Sequence, residues 1–261
     1  MTGSDLEYFR AWFASYCKSF CLNDEMEQRN IELKEMHTGQ VCANIISVAK
    51  GESLDSSRMR MAEAVALFHD VGRFPQYAKY KTFRDSASIN HGPLGSTVLK
   101  DEKVLDRLPL HERTIIFDAV RLHNAFSIAD ISDPETLLFL KLIRDADKLD
   151  IWRVFIEYYE TPEERKPEAV GLGLPDMPSY SREILSGLQS RKIASLAQLK
   201  TLNDFKLLQL SWVFDLNFRT SFIILKERGY IAGISSTLPR TEEVLSAVKI
   251  VQSYVDERLN G

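Results

Sequence analysis

Apolar residues recur at intervals of three and four along most of the chain, which is the period of one face of an α-helix. The first such stripe consists of Leu6, Phe9, Phe13, Tyr16 and Phe20. A second stripe occupies residues 41–48 and is followed by Gly51, a residue type that is common just past the end of a helix. No run of alternating apolar and polar residues is long enough to predict a β-strand. The pattern therefore predicts an all-α fold.

Three more helices are predicted in the first 160 residues. One covers about residues 58–71, and the next carries the apolar positions that precede His123. Asp133 and Pro134 form a favourable start for the fifth helix, because aspartate can cap the first turn and proline fits its first position. We expect this fifth helix to continue to about Tyr158.

The stretch from Thr161 to Tyr180 interrupts the helical pattern, because it contains several prolines and glycines. We expect a long loop here, which serves as a connection or as a lid. Helical patterns resume over about residues 201–228 and from Thr241 onward. We expect residues 1–261 to form one all-α domain, with C-terminal helices at about residues 181–258 packed on the first five.

The composition is that of an ordinary globular protein, with 44% hydrophobic and 27% charged residues. The chain contains 33 lysines and arginines against 37 aspartates and glutamates, a formal net charge of −4. An acidic protein has no overall electrostatic attraction for nucleic acid or for an anionic membrane. We therefore expect neither as a partner. An anionic small molecule would have to meet a local basic patch or a metal ion.

The cysteine content and the N-terminal residues predict a cytoplasmic location. Three cysteines, Cys17, Cys21 and Cys42, do not suggest a disulfide framework. Cys17 and Cys21 are four residues apart on a predicted helix, so they form either a redox pair or two small buried apolar side chains. The first ten residues include two acids and no apolar segment, so they do not predict a secretory signal. No apolar run approaches the ~18 residues of a membrane span.

Histidines and aspartates stand at positions where the pattern calls for core residues. His37 and His123 fall on the apolar stripes of two helices, and Asp147 lies in the middle of the stripe of the fifth helix. A buried carboxylate that faces no cation is costly. A single histidine on an apolar face is most often a hydrogen-bonded core residue. Together with the adjacent pair His69 and Asp70, however, these side chains suit a first-row transition metal.

Three local sequences surround these residues: HTGQVCANIISVAK at His37, ALFHDVGRF at His69 and Asp70, and LIRDADKLD at Asp147. They resemble the metal-binding sequences of the HD-domain superfamily of metal-dependent phosphohydrolases. The resemblance covers about residues 33–152 and implies a helical bundle with additional C-terminal helices. It selects Asp147 over its neighbours Asp145 and Asp150, because the family's final aspartate follows alanine and precedes a basic residue and leucine.

Two further sequences, NHGPLGSTVL and VRLHN, are similar to the sites of two additional histidines in binuclear HD proteins. The resemblance thus implies six metal ligands: His37, His69, Asp70, His91, His123 and Asp147. The second ion would be bound by His91 and His123 and would share Asp70 with the first. The resemblance implies two divalent transition-metal ions, and Mn, Fe, Co, Ni and Zn remain alternatives. His111 matches nothing in the family, and we expect it at the surface.

The segment from Arg73 to Asn90 carries four basic residues and one acid, with four aromatic residues between them. It is interpreted either as a lid that binds a phosphate and a flat group, or as a solvated loop anchored by buried aromatic side chains. Arg73 stands where many binuclear HD proteins have lysine, and its guanidinium can bind phosphate through two parallel hydrogen bonds. The substrate-binding residues expected from this segment and from the fifth helix are Arg73, Lys79, Tyr80, Arg84 and Lys148.

The resemblance implies a hydrolase of phosphate esters, acting on a nucleotide or a similar small phosphorylated metabolite. Asp70 would orient the attacking water while it binds both ions, and Arg73 would neutralise developing charge on the phosphoryl group. The alternative is a di-iron oxygenase that uses O₂, because HD-fold oxygenases carry the same six ligands. A non-catalytic sensor that contains metal is a third hypothesis. Asp215 and Arg219, four apart on a predicted helix, form an ion pair or face a substrate.

Overall fold

The computed structural model describes residues 1–128, 130–162 and 173–261. Within these ranges every regular element is a helix and no strand occurs, which confirms the predicted all-α fold class. None of the described helices is both long and apolar enough to cross a membrane. The chain divides into two compact units, Met1–Asp150 and Ile151–Gly261. The expected single domain, with the C-terminal helices packed on the first five, stays a prediction.

Six helices and most of a seventh form the first unit. They are α1 (Gly3–Lys18), α2 (Glu25–Gly51), α3 (Ser56–Phe68), α4 (Arg73–Tyr80), α5 (His91–Asp101), α6 (Leu110–Leu122) and α7 (Pro134–Glu160). The boundary between the two units falls within α7, after Asp150. α2 packs against α3, and α5 packs against α6. The core of this unit includes the fully buried side chains of Phe9, Ile45, Phe68, Leu99 and Ile116.

Polar side chains determine where several of these helices begin. Thr2 and Asp5 each accept a hydrogen bond from the other's backbone N–H at the start of α1. Asp24 and Asp55 accept backbone N–H groups at the starts of α2 and α3. The side chain of Asn90 accepts a hydrogen bond from the backbone of the second residue of α5. These bonds satisfy N–H groups that have no partner within the first helical turn.

α3 ends at Phe68 and α4 begins at Arg73, so His69 and Asp70 lie in the tight turn between the two helices. Gly72 in this turn lies directly against the start of α5. A Cβ atom added to Gly72 would overlap the carbonyl oxygen of His91 and would lie 2.6 Å from the backbone nitrogen of Gly95. The absence of a side chain at Gly72 thus lets the turn carrying His69 and Asp70 approach His91.

Residues 73–80 form α4, although the sequence predicted a loop over the whole segment from Arg73 to Asn90. The reason is that Phe74 and Tyr77, three residues apart, are both buried and give this short helix an apolar face. Phe83 is buried as well, whereas Tyr80 is 38% exposed. Three of the four aromatic side chains therefore anchor the segment, as in the second of the two interpretations. A role as a lid stays a proposal.

The second unit contains the end of α7 and five further helices. They are α8 (Arg182–Gln189), α9 (Leu202–Ser211), α10 (Arg219–Glu227), α11 (Tyr230–Ser236) and α12 (Glu242–Asn260). Their core includes the buried side chains of Trp152, Phe205, Phe222, Ile234 and Val251. The loop expected between Thr161 and Tyr180 falls in part on residues 163–172, which lie outside the described residues.

The prediction that Asp215 and Arg219 lie on one helix is wrong, because α9 ends at Ser211 and α10 begins at Arg219. A 3₁₀ turn over Trp212–Asp215 is followed by extended backbone at Leu216 and Phe218. The side chain of Asn217 donates a hydrogen bond to the carbonyl of Asp215, which stabilises this break. Asp215 and Arg219 are therefore not on one helix. Arg219 instead donates a hydrogen bond to the carbonyl of Leu259 at 2.9 Å.

Candidate metal centre

The six residues expected to bind metal all belong to the first unit and come from different structural elements. His37 lies within α2, His69 and Asp70 in the turn after α3, and His91 at the first position of α5; His123 directly follows α6, and Asp147 lies within α7. The four histidines and Asp70 are almost completely buried. The side chain of Asp147 is 17% exposed.

One cluster consists of His37, His69 and one carboxylate oxygen of Asp70, and Asp147 lies beside its two histidines. The Nε2 atoms of His37 and His69 are 3.3 Å apart, and Asp147 Oδ1 lies 3.1 Å from His37 Nε2. Asp70 Oδ2 lies 3.6 Å from His37 Nε2 and 3.7 Å from His69 Nε2. Two ligands bound to one ion at ~2.1 Å lie roughly 3.0–3.5 Å apart. The cluster therefore has nearly the dimensions of a metal coordination shell.

A second cluster uses the other oxygen of Asp70. His91 Nε2 and His123 Nε2 are 3.0 Å apart, and they lie 3.3 Å and 3.8 Å from Asp70 Oδ1. The two carboxylate oxygens of Asp70 thus face two different pairs of imidazoles. This is the arrangement expected of a carboxylate that bridges two metal ions.

The Nδ1 atom of each histidine has an acceptor of its own. His69 and His123 contact the carbonyl oxygens of Ala66 and Val120, three residues earlier in the chain, at 2.7 Å and 2.8 Å. His37 and His91 contact carboxylate oxygens of Asp150 and Asp85, at 2.6 Å and 2.8 Å respectively. A proton on each Nδ1 leaves the lone pair of Nε2 directed at the shared centre, which is the usual arrangement around metal-binding histidines.

The charge states of His91, His123 and Asp70 also suit metal binding. Burial lowers the pKa of His91 and of His123 to about 4. Both imidazoles are therefore neutral at pH 7, the form in which histidine binds a metal ion. Burial opposes the ionisation of Asp70, but the neighbouring charges, first that of Lys34, hold the pKa of its carboxyl well below the ordinary value. Asp70 is therefore a carboxylate throughout the neutral pH range.

Lys34 lies in the centre and was not anticipated from the sequence. Its Nζ is 2.8 Å from Asp70 Oδ2, and its side chain is 16% exposed. The ammonium group also lies 5.2 Å from the centre of the Phe83 ring. Lys34 precedes His37 by three residues on α2, so the two share a helix face. That spacing was the available signal, but it does not distinguish Lys34 from other charged residues of the same helix.

Arg73 extends towards Asp70, and one side of its guanidinium is held in place. Nη1 donates to Gln76 Oε1, to the Phe83 carbonyl and to Asp85 Oδ1, at 2.9, 2.5 and 2.9 Å respectively. Nε lies 3.5 Å from Asp70 Oδ1 and has no hydrogen-bond partner among the described residues. Nε is thus a buried donor without a hydrogen-bond partner beside the carboxylate of Asp70.

The other residues expected to bind substrate are not brought into the two clusters. Lys79 lies on the exposed face of α4 with its Nζ 5.0 Å from the centre of the Tyr80 ring. Arg84 Nε donates to Ser86 Oγ at 3.2 Å on the surface, and Lys148 Nζ donates to the carbonyl of Arg144 at 3.3 Å. Their role in binding substrate stays a prediction.

Three other residues bear on the selection of ligands. His111 is exposed, as expected, and its Nε2 lies 3.7 Å from Glu135 Oε2. Asp145 is buried and forms part of neither cluster. The resemblance to the HD-domain superfamily favoured Asp147 over Asp150 as a ligand. In the structure, Asp150 is the acceptor for His37 Nδ1 and not a ligand candidate.

Comparison with known families agrees with this geometry. Residues 37–152 match the family model of the HD domain. The matched segment contains all six candidate ligands. Searches of the curated proteins and of the solved structures returned no significant match.

Proposed function

We propose that this chain, which carries an HD domain of the metal-dependent hydrolase superfamily, hydrolyses a phosphate ester at a centre of two divalent transition-metal ions. The observation that carries the proposal is the position of Asp70, whose two oxygens each face a separate pair of imidazoles. Two ions held by these residues would polarise a phosphoryl oxygen and lower the pKa of a water molecule, which is the chemistry of many two-metal hydrolases.

The residues around the ions would complete the ligand set. Asp147 and the two imidazoles of His37 and His69 would hold the first ion, and His91 and His123 would hold the second. Burial of these groups excludes bulk water from one side of the centre, which strengthens the electrostatic interactions there. Asp70 would be the one protein group in contact with both ions, so it would also orient the water that attacks phosphorus.

Two cations next to Asp70 support an anionic substrate. Lys34 lies beside Oδ2 and Arg73 beside Oδ1 of this carboxylate. The Nε and Nη2 groups of Arg73 can donate two parallel hydrogen bonds to a phosphoryl group, which is a geometry that guanidinium and phosphate favour. Together the two cations would neutralise charge that develops on the phosphoryl oxygens during attack.

We propose a nucleotide or a similar small phosphorylated metabolite as the substrate. Lys79, Tyr80 and Arg84 are exposed on the segment that follows Arg73, and Lys148 directly follows Asp147. We assign to them contacts with the parts of the substrate that are remote from the reacting phosphate. An exposed aromatic ring with basic neighbours suits a flat, anionic molecule.

The proposal is tested with metal-loaded protein and a panel of phosphomonoesters, phosphodiesters and nucleotides, assayed with and without O₂. Release of phosphate or of an alcohol at equal rates under both conditions is expected, and Asp70→Ala is the inactive control. Turnover that requires O₂ and consumes it would replace the hydrolase with an oxygenase. Complete absence of turnover by protein with two bound ions would favour a sensor.

A further inference from the structure

Asp85 is the single acid in the basic segment between Arg73 and Asn90, and it begins the 3₁₀ turn Asp85–Ala87. Its carboxylate is held by three donors: Arg73 Nη1 at 2.9 Å, Gln76 Nε2 at 2.9 Å and Asn124 Nδ2 at 3.0 Å. The side chain is 31% exposed. Donors from α4 and from the residues after α6 thus fix the position of one carboxylate between them.

The remaining contact of this carboxylate is with His91. Asp85 Oδ2 lies 2.8 Å from His91 Nδ1, while His91 Nε2 faces Asp70 and His123. Because a carboxylate only accepts hydrogen bonds, this contact requires an N–H at Nδ1, which leaves Nε2 with the lone pair that an ion in the second cluster would need.

His91 depends on this contact more than two of the other candidate ligands do. His69 and His123 lie at the ends of helices, where the carbonyl three residues earlier accepts their Nδ1 proton. His91 is the first residue of α5, so no preceding turn of that helix can supply such a carbonyl. The acceptor for His91 must therefore come from elsewhere in the chain, and Asp85 supplies it.

We infer that Asp85 is a positioning residue for the second metal ion, which acts by holding His91 in the orientation that ion requires. This inference rests on the proposed two-ion centre. It does not depend on the reaction that the centre catalyses, because the expected effect is on metal affinity.

The test compares wild type, Asp85→Asn and Asp106→Asn as metal-free proteins titrated with Co²⁺ by calorimetry and by visible absorption. Asp85→Asn keeps the size of the side chain and removes its charge. Asp106 is a matched surface control, 59% exposed and paired with Arg113. Loss of a carboxylate behind a metal-binding histidine typically lowers metal affinity about 10- to 100-fold.

We expect Asp85→Asn to bind the first equivalent of Co²⁺ as wild type does and the second about 10- to 100-fold more weakly. In Asp85→Asn, the visible absorption of Co²⁺ in the second site should differ from that of wild type. Asp106→Asn should match wild type in both affinities and in absorption. An unchanged first equivalent also reports that the variant is folded. Unchanged affinity for the second ion would overturn the inference, and so would equal weakening of both, which would indicate a structural role.

The outcomes separate this inference from the proposed function. Selective loss of the second ion in a protein without phosphoesterase activity would support the role of Asp85 and contradict the proposed reaction. If wild type is active and Asp85→Asn leaves the affinities for both ions unchanged, the proposed reaction is supported and the role of Asp85 is contradicted. A wild type that binds one ion would overturn both the two-ion centre and the role of Asp85.

Discussion

Asp70 is shared by the two clusters of candidate ligands, because each of its oxygens faces a different pair of histidines. Lys34 and Arg73 occupy the space beside those oxygens. In the absence of bound ions these cations compensate the buried negative charge of Asp70. With ions and substrate bound, Lys34 and Arg73 would contact the phosphate group of the substrate. The two cations would therefore compensate negative charge in both states.

Removal of the Arg73 side chain is expected to reduce catalysis without affecting metal content. Arg73→Ala removes charge-assisted hydrogen bonds worth about 1.5–3 kcal/mol, so kcat/KM for the phosphate ester should fall ~10- to 150-fold. Arg121→Ala, at an exposed arginine paired with Asp118, is the control. Elemental analysis should give equal metal content for all three proteins, because Arg73 is not a candidate ligand and Gln76 and Asn124 still donate to Asp85. Wild-type kcat/KM in Arg73→Ala would contradict the role.

The six candidate ligands could be selected from the sequence because histidine and aspartate are conspicuous on apolar stripes and in local sequences of known type, and that all six bind metal stays a prediction. The residues around them could not be selected in this way. Lys34, Asp85 and Asp150 acquire their roles from side-chain orientation, which depends on how separate helices pack. Asp150 lies three residues after Asp147, and nothing in the sequence indicates that it would contact Nδ1 of His37 while Asp147 contacts Nε2.

At the scale of the elements, the hydrophobic period located the long helices and failed where an irregular stretch interrupts it. α1 and α7 follow their predicted stripes, and α4 was missed because it is only eight residues long. The apolar period continues from α9 into α10, so it gave no sign of the break at residues 212–218. Local hydrogen bonds, such as that of Asn217, decide such breaks, and the apolar pattern does not record them.

The turn between α3 and α4 provides a test at this scale. Gly72→Ala would force a Cβ against the backbone of α5, so it should destabilise the protein by about 1–3 kcal/mol. Gly39→Ala is the matched control, because this glycine lies within α2 with no atom within 4 Å of the added Cβ. Alanine there should stabilise the protein by about 0.8–1 kcal/mol.

Urea unfolding of wild type and the two variants measures the change in the free energy of unfolding that each substitution causes. Equal changes in the two variants would show that the close approach of Gly72 to α5 does not matter. A destabilised Gly72→Ala protein should also bind metal less tightly, since the shift separates Asp70 from His91.

At the scale of the whole molecule, the ligands connect elements that are distant in sequence within one compact unit. A ligand that binds only the native state stabilises it, by about 2.7 kcal/mol at a free concentration 100 times its dissociation constant. Metal should therefore raise the free energy of unfolding and increase hydrogen-exchange protection in the unit Met1–Asp150. Chelation should reverse both effects. Asp70→Ala should show neither, and an equal gain in that variant would place the binding elsewhere.

The most direct test of the account is the number of metal ions per chain in wild type, His91→Ala and His123→Ala prepared in parallel. Two ions are expected in wild type. Each variant should retain about one, because the ligands of the first ion are intact while the second has lost a ligand. Elemental analysis with protein quantified by amino-acid composition measures this ratio. Equal metal content in all three proteins would contradict the two-ion centre and make His91 and His123 candidates for acid–base catalysis instead.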